Sequence, residues 1–106
     1  MFKDITTEEA NKLINSLKNF ILLDVRTPEE FLEGHLKNAV NIDIYGENFK
    51  EELNKLDKSK IYIVYCRTGQ RSYSTVQIMK ELGFINIFDM IEGILGWGRN
   101  KLPIMQ

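Results

Sequence analysis

Ile61-Tyr62-Ile63-Val64-Tyr65-Cys66-Arg67-Thr68-Gly69-Gln70-Arg71-Ser72 is the stretch that decides the fold. Five apolar or aromatic residues run unbroken into a cysteine, and a short loop with two arginines and a glycine follows. Beyond Ser72 the pattern turns helical, with Val76, Met79 and Leu82 recurring at three-residue spacing. The order is buried strand, tight loop, helix. Such a loop turns its backbone N–H groups inward, and the helix behind it adds the positive end of its dipole. Arg67 and Arg71 contribute two permanent positive charges. Gly69 can take the positive φ that lets a loop curl around an anion. A cysteine at the base of that loop is expected to favour its thiolate form. A lone cysteine after a strand is ordinarily a small buried hydrophobe, but a purely structural turn needs no guanidinium pair beside a thiol. The expectation is a nucleophile, Cys66, in an anion cradle formed by Arg67, Thr68, Gly69, Gln70, Arg71 and Ser72.

The flanking sequence supplies the rest of a layered fold. Phe20-Ile21-Leu22-Leu23 is a continuous apolar run, as expected of a strand covered on both faces, and it ends in Asp24-Val25-Arg26. Thr27-Pro28-Glu29-Glu30 has the form of a helix start, with Thr27 as N-cap, proline at the first helical position and Glu30 at the third. Gly34 to Ile42 reads as a turn leading into a short strand. Nearer the N-terminus, Phe2 to Ile5 is a short strand candidate. Thr6 and Glu9 then stand at capping-box spacing before the helical face Ala10, Leu13, Ile14 and Leu17. Ser16 to Asn19 reads as a connection. Phe49, Leu53 and Leu56 mark a further amphipathic helix, and Asp57 to Lys60 a polar turn. Gly83 is placed to close the helix behind the cysteine loop, Ile85 to Asp89 gives a fifth strand, and Glu92 to Trp97 starts a last short helix before Pro103. Strands alternating with helices predict a parallel α/β sheet with helices on both faces. Ligands of such sheets sit beyond the carboxyl ends of the strands, where Cys66, Asp24 and Arg26 all fall.

Composition narrows the setting. The 106 residues suit one domain, 1–106, long enough to bury a core without staples. Hydrophobic residues at 43% and charged residues at 27% are ordinary for a soluble globular chain. A net charge of −1 argues against a general nucleic-acid or membrane surface, so an anion site must be local. One cysteine rules out an internal disulfide and makes a thiolate metal cage implausible; no metal or cofactor is expected. A reduced, cytoplasmic setting suits a free thiol. Met1 to Ala10 is polar and acidic, without a signal-peptide core, and no apolar run approaches membrane-spanning length.

With these residues in view, the chain resembles the rhodanese family, in its single-domain sulfurtransferase form. Leu23-Asp24-Val25-Arg26-Thr27-Pro28-Glu29-Glu30-Phe31 is similar to the family's first signature, which Glu33-Gly34-His35-Leu36-Lys37-Asn38-Ala39-Val40-Asn41-Ile42 continues. Cys66 to Ser72 is similar to its active-site loop. Glu92-Gly93-Ile94-Leu95-Gly96-Trp97, with Pro103 beyond, is similar to its C-terminal signature. Lys37-Asn38 departs from the usual Pro-Gly, and Ile94-Leu95-Gly96 is a less regular version of the stretch before the tryptophan. The resemblance implies a five-stranded parallel sheet with the first and third strands at its edges. It also implies that Cys66 cycles between thiolate and persulfide. Sulfur comes from a small donor such as thiosulfate and leaves to cyanide, a thiol or a protein acceptor, with no nucleic acid or membrane involved.

Three supporting residues invite stronger roles. His35, the only histidine, is expected to hydrogen-bond nearby backbone and not to act as a base. Asp24 is expected to order the site through loop N–H groups or an arginine, and Arg26 to pair with a neighbouring carboxylate. Trp97 needs a partner for its indole N–H. The rival enzyme classes are the cysteine-dependent phosphatases and arsenate reductases of the same fold. Those place five residues between cysteine and arginine, whereas four separate Cys66 from Arg71 and Ser72 stands at the phosphatase arginine's position. A non-catalytic binding module of this fold commonly lacks the cysteine. A persulfide carrier serving a partner protein would share the loop chemistry.

Overall fold

The computed structural model describes residues Met1–Gln106. Its elements are β1 (Phe2–Ile5), α1 (Thr7–Ser16), β2 (Phe20–Asp24), α2 (Pro28–Glu33), β3 (Val40–Asn41), α3 (Phe49–Asn54), β4 (Ile61–Tyr65), α4 (Gln70–Glu81), β5 (Asn86–Met90) and α5 (Gly93–Arg99). The five strands form one sheet in the order β1-β5-β4-β2-β3, and every pairing is parallel. The first and third strands lie at the edges, as the resemblance implies. The strand leading to Cys66 is central.

Strand alternation divides β4 between two cores. Tyr62, Val64 and Cys66 join Phe49 and Leu53 of α3 and Val76 and Met79 of α4 on one face. Ile63 and Tyr65 join Ala10 of α1 and Ile94 and Trp97 of α5 on the other. Helices therefore cover both faces, and the central strands read as unbroken apolar runs because neither face meets water.

Local chemistry sets the element ends. Both capping boxes form: Thr6 accepts from the Glu9 N–H, Thr27 accepts from the Glu30 N–H, and each glutamate reaches back to its threonine N–H. Gly83 closes α4, with the Phe84 N–H donating to the Met79 carbonyl and the Gly83 N–H to that of Lys80. Asn38 takes a φ of 66°, so the Lys37-Asn38 pair still makes a turn, asparagine being the residue that best tolerates left-handed backbone after glycine. Several boundaries differ from expectation: α3 ends at Asn54, before Leu56, and α5 begins at Gly93, with Glu92 as its N-cap. Ser16 belongs to α1, its hydroxyl donating to the Lys12 carbonyl. The fifth strand runs one residue later, leaving Ile85 exposed. α4 begins at Gln70, so Gln70, Arg71 and Ser72 are its first turn. No helix is long and apolar enough to cross a membrane.

Candidate active site

Cys66 follows the last residue of β4 and is 1% exposed. Its Sγ accepts hydrogen bonds from the Gly69 N–H at 3.1 Å and the Ser72 N–H at 3.3 Å. These donors flank the start of α4, so two N–H dipoles and the helix N-terminus face the sulfur. The loop is pinned from within: the Ser72 hydroxyl donates to the Gly69 carbonyl at 3.1 Å, and the Thr75 hydroxyl to the Arg71 carbonyl at 2.9 Å. Gly69 sits at φ 114°, and a Cβ there would lie 2.2 Å from the Ile91 carbonyl oxygen. Only glycine both adopts this backbone and admits the chain after β5 so closely.

α5 braces the loop from the other side. The Ile94 N–H donates to the Cys66 carbonyl at 2.9 Å and the Leu95 N–H to the Arg67 carbonyl at 3.1 Å. Gly93 permits this approach: at φ 63°, a Cβ on it would meet the Arg67 carbonyl oxygen at 2.2 Å and the Cys66 oxygen at 2.8 Å.

The two loop arginines differ. Arg71 is bound bidentately by Glu30, Nη1 to Oε1 at 2.7 Å and Nη2 to Oε2 at 2.9 Å, and its guanidinium lies 5.9 Å from the centre of the Tyr45 ring. Hydrogen bonding to Arg71 holds the Glu30 carboxyl down at about 2, against partial burial. The same contact raises Arg71 above its ordinary value. Arg67 is exposed and makes no ion pair. Thr68 and Gln70 are exposed. Glu30 is the site residue that sequence reasoning assigned to a cap alone. Its partner lies 41 residues away, and nothing local signals the pairing.

The supporting residues gather below the loop. Arg26, 5% exposed, donates to Asp24 through Nε and Nη2, the shortest contact being 2.7 Å, and to the Gly34 carbonyl at 2.7 Å. Burial works against the charged guanidinium, but Asp24 outweighs it and keeps Arg26 above its ordinary value. The pair lies beside Tyr65, whose ring centre is 5.7 Å from the guanidinium. Burial, then the Asp24 charge, push the Tyr65 phenol upward, so it stays neutral, and its oxygen accepts the Leu36 N–H at 3.1 Å. Asn41 ties this layer to β3 by donating to the Asp24 and Arg26 carbonyls. His35 Nδ1 lies 2.9 Å from the Phe31 carbonyl, and its ring stacks on Phe31 at 3.8 Å. No hydrogen bond joins Asp24, Arg26 or His35 to Sγ; the three fix the turn before β3. Trp97 is buried in the α1–α5 layer and donates to the Pro103 carbonyl at 2.8 Å.

A five-stranded parallel sheet with a cysteine loop of this length at the end of its central strand defines a class of protein, and comparison with known proteins agrees with it. A family model described as "Rhodanese-like domain" matches residues 6–100. The chain belongs to the rhodanese family. It is 32% identical over 97 residues to the thiosulfate sulfurtransferase GlpE of Coxiella burnetii, covering 92% of this chain and 88% of that one. It is 38% identical over 99 residues to the tRNA uridine(34) hydroxylase of Legionella pneumophila, where the match covers 88% of this chain but only 38% of that protein. The crystal structure of a rhodanese-related protein from Thermoplasma volcanium superposes with a TM-score of 0.84 at 31% identity, covering 97% of both chains.

Proposed function

We propose that this chain is a sulfurtransferase, acting as one rhodanese domain over residues 1–106, that moves a sulfane sulfur through a persulfide on Cys66. The observation that carries the reading is the pair of N–H groups, from Gly69 and Ser72, aimed at Sγ, with only four residues between Cys66 and Arg71. The Cys66 thiolate attacks the outer sulfur of a donor such as thiosulfate, an S–S bond forms, and sulfite leaves with the electron pair of the broken bond. The loop N–H groups hold the resulting charge, while Arg67 and the start of α4 attract the anionic donor. Cyanide or a thiolate then attacks the terminal sulfur and returns the electron pair to Cys66. No general base is needed, which agrees with His35 being committed to the backbone of Phe31. The name of the Coxiella relative supports thiosulfate as a donor. A thiol on a partner protein is the alternative acceptor, and a reducing, cytoplasmic compartment suits the free thiol.

The phosphatase alternative asks the loop to surround three equatorial oxygens with N–H donors and an arginine. Here Ser72, not arginine, follows Cys66 after five intervening residues and is fully buried, and Arg71 is occupied by Glu30. Incubation with thiosulfate should add one sulfur atom to the intact mass of the wild type and none to Cys66→Ser. That variant should also lose cyanide-dependent turnover. A wild type that stays unmodified and hydrolyses aryl phosphates would overturn the reading.

A further inference from the structure

Asp89 is a buried carboxyl that the sulfur transfer derived above does not use. It stands in β5, 2% exposed, and its Oδ1 has no hydrogen-bond partner. In register beside it are the apolar Val64 of β4 and Asp4 of β1. A cavity of about 330 Å³ between β1 and α4 reaches it, lined also by Lys3, Asp4, Tyr73 and Lys80. Neither lysine forms an ion pair with it, and Lys80 instead lies over the Phe2 ring, 5.0 Å from its centre. An unsatisfied buried oxygen is costly, and an apolar side chain would avoid it. Burial and the Asp4 charge lift this carboxyl from 3.8 to about 6, so it changes charge just below neutrality. The cavity gives its proton a way to water.

On its other side Asp89 meets the cysteine loop, because the Ser72 side chain lies against its carboxyl. The Ser72 N–H donates to Sγ at 3.3 Å, and its hydroxyl donates to the Gly69 carbonyl at 3.1 Å. The Gly69 N–H is the other donor to Sγ. A hydroxyl has one proton to give. With Asp89 protonated, the carboxyl proton goes to the Ser72 oxygen and the Ser72 proton to the Gly69 carbonyl, which pins the turn carrying both Sγ donors. With Asp89 ionised, its proton has left to water, and the carboxylate, a stronger acceptor than a carbonyl, draws the Ser72 proton. The Gly69 carbonyl then loses that bond, and a negative charge stands beside the residue that donates to Sγ. We propose that Asp89 is a positioning residue of the cysteine loop: through the Ser72 hydroxyl, its charge state sets how firmly the Gly69 and Ser72 N–H groups are held on the Cys66 sulfur. The proposal rests on Cys66 as the reacting thiol. The coupling is reciprocal, so a thiolate at Cys66 makes Asp89 hold its proton more tightly.

Cys66 is the only cysteine, so the pH profile of alkylation by iodoacetamide, read by intact mass, reports this thiol alone. The ultraviolet absorbance of the thiolate, with Cys66→Ser as the baseline, gives the same midpoint without a reagent. Asp89→Asn is uncharged at every pH, and its amide can still donate to Ser72. Its half-maximal pH should fall below that of the wild type. On the rising limb of the profile its alkylation should be about three- to tenfold faster, the scale of one screened charge inside a protein. Coincident midpoints, even with altered stability, would overturn the proposal, because a merely structural carboxyl would leave the profile in place. In a Ser72→Ala background the same substitution should move the midpoint much less; an undiminished effect would overturn the route through Ser72. Neither measurement needs a sulfur donor. A failure of the sulfurtransferase reading therefore shows separately, as the absence of added sulfur on Cys66 after thiosulfate.

Discussion

Glu30 serves two partners with one carboxylate. Its Oε1 accepts from the N–H and hydroxyl of Thr27, closing the start of α2, and from Arg71, whose second nitrogen takes Oε2. Arg71, in the first turn of α4, is therefore neutralised and held aside, while Arg67 carries the free charge. This arrangement limits how strongly the site attracts a small dianion. Replacing Glu30 with glutamine keeps a capping side chain but removes the negative charge beside Arg71. Glu30→Gln is expected to lower KM for thiosulfate by about two- to fivefold at low ionic strength, the range of a partly exposed charge pair. The gain should vanish in high salt. Steady-state kinetics at two salt concentrations checks it. A raised KM would mean instead that Glu30 positions Arg71 for the donor.

At the scale of elements, the site depends on a helix that carries no reacting group. α5 reaches the loop only because Gly93 has no side chain, its Cα lying against the Cys66 and Arg67 carbonyls. Gly93→Ala would force a positive-φ alanine into contact with backbone that cannot step aside, and left-handed strain alone costs about 1–3 kcal/mol. We expect the variant to be destabilised by at least about 2 kcal/mol in urea unfolding, with persulfide formation impaired in the molecules that remain folded. Wild-type stability would show that the loop and α5 can separate freely. This docking also marks the limit of what the sequence discloses. The apolar runs, the capping boxes at Thr6 and Thr27 and the Cys66 loop were legible because each is written in contiguous residues. The start of α4 at Gln70 was not, since its N-cap is Gly69, a left-handed residue packed close to the Ile91 carbonyl that offers no capping side chain. The Arg71–Glu30 pair and the Gly93 contact join distant segments, and no local pattern encodes either. The edge positions of β1 and β3 came from resemblance to a family, because alternation of strands and helices does not order a sheet.

Over the whole molecule, acidic groups pull stability in opposite directions along the pH axis. Glu30 is held down at about 2 from its ordinary 4.5, so its contribution is full above 4.5 and is lost as pH falls toward 2. The exposed Glu9 and Asp57 are lowered too, by hydrogen bonds at Thr6 and Ser59 respectively, and act in the same sense. Asp89 behaves oppositely. It lies in β5, 2% exposed, opposite Asp4 of β1, and its Oδ1 has no hydrogen-bond partner. Burial, reinforced by the Asp4 charge and only partly offset by Ser72, raises its carboxyl from 3.8 to about 6. Stability linked to Asp89 is therefore full below 3.8 and lost as pH rises through about 6. Near neutrality the protein thus carries a buried charge beside Ser72 of the cysteine loop. Asp89→Asn removes the titration while keeping the shape. The variant should be more stable than the wild type at about pH 8, by at most about 3 kcal/mol for a shift of this size. The difference should shrink toward zero at about pH 3, below the ordinary value of 3.8, where the wild-type carboxyl is largely protonated in both states. Urea unfolding of both proteins at the two pH values measures it. If Asp89→Asn is destabilising by the same amount at both, the carboxylate is not a buried liability and the assignment of its charge is wrong.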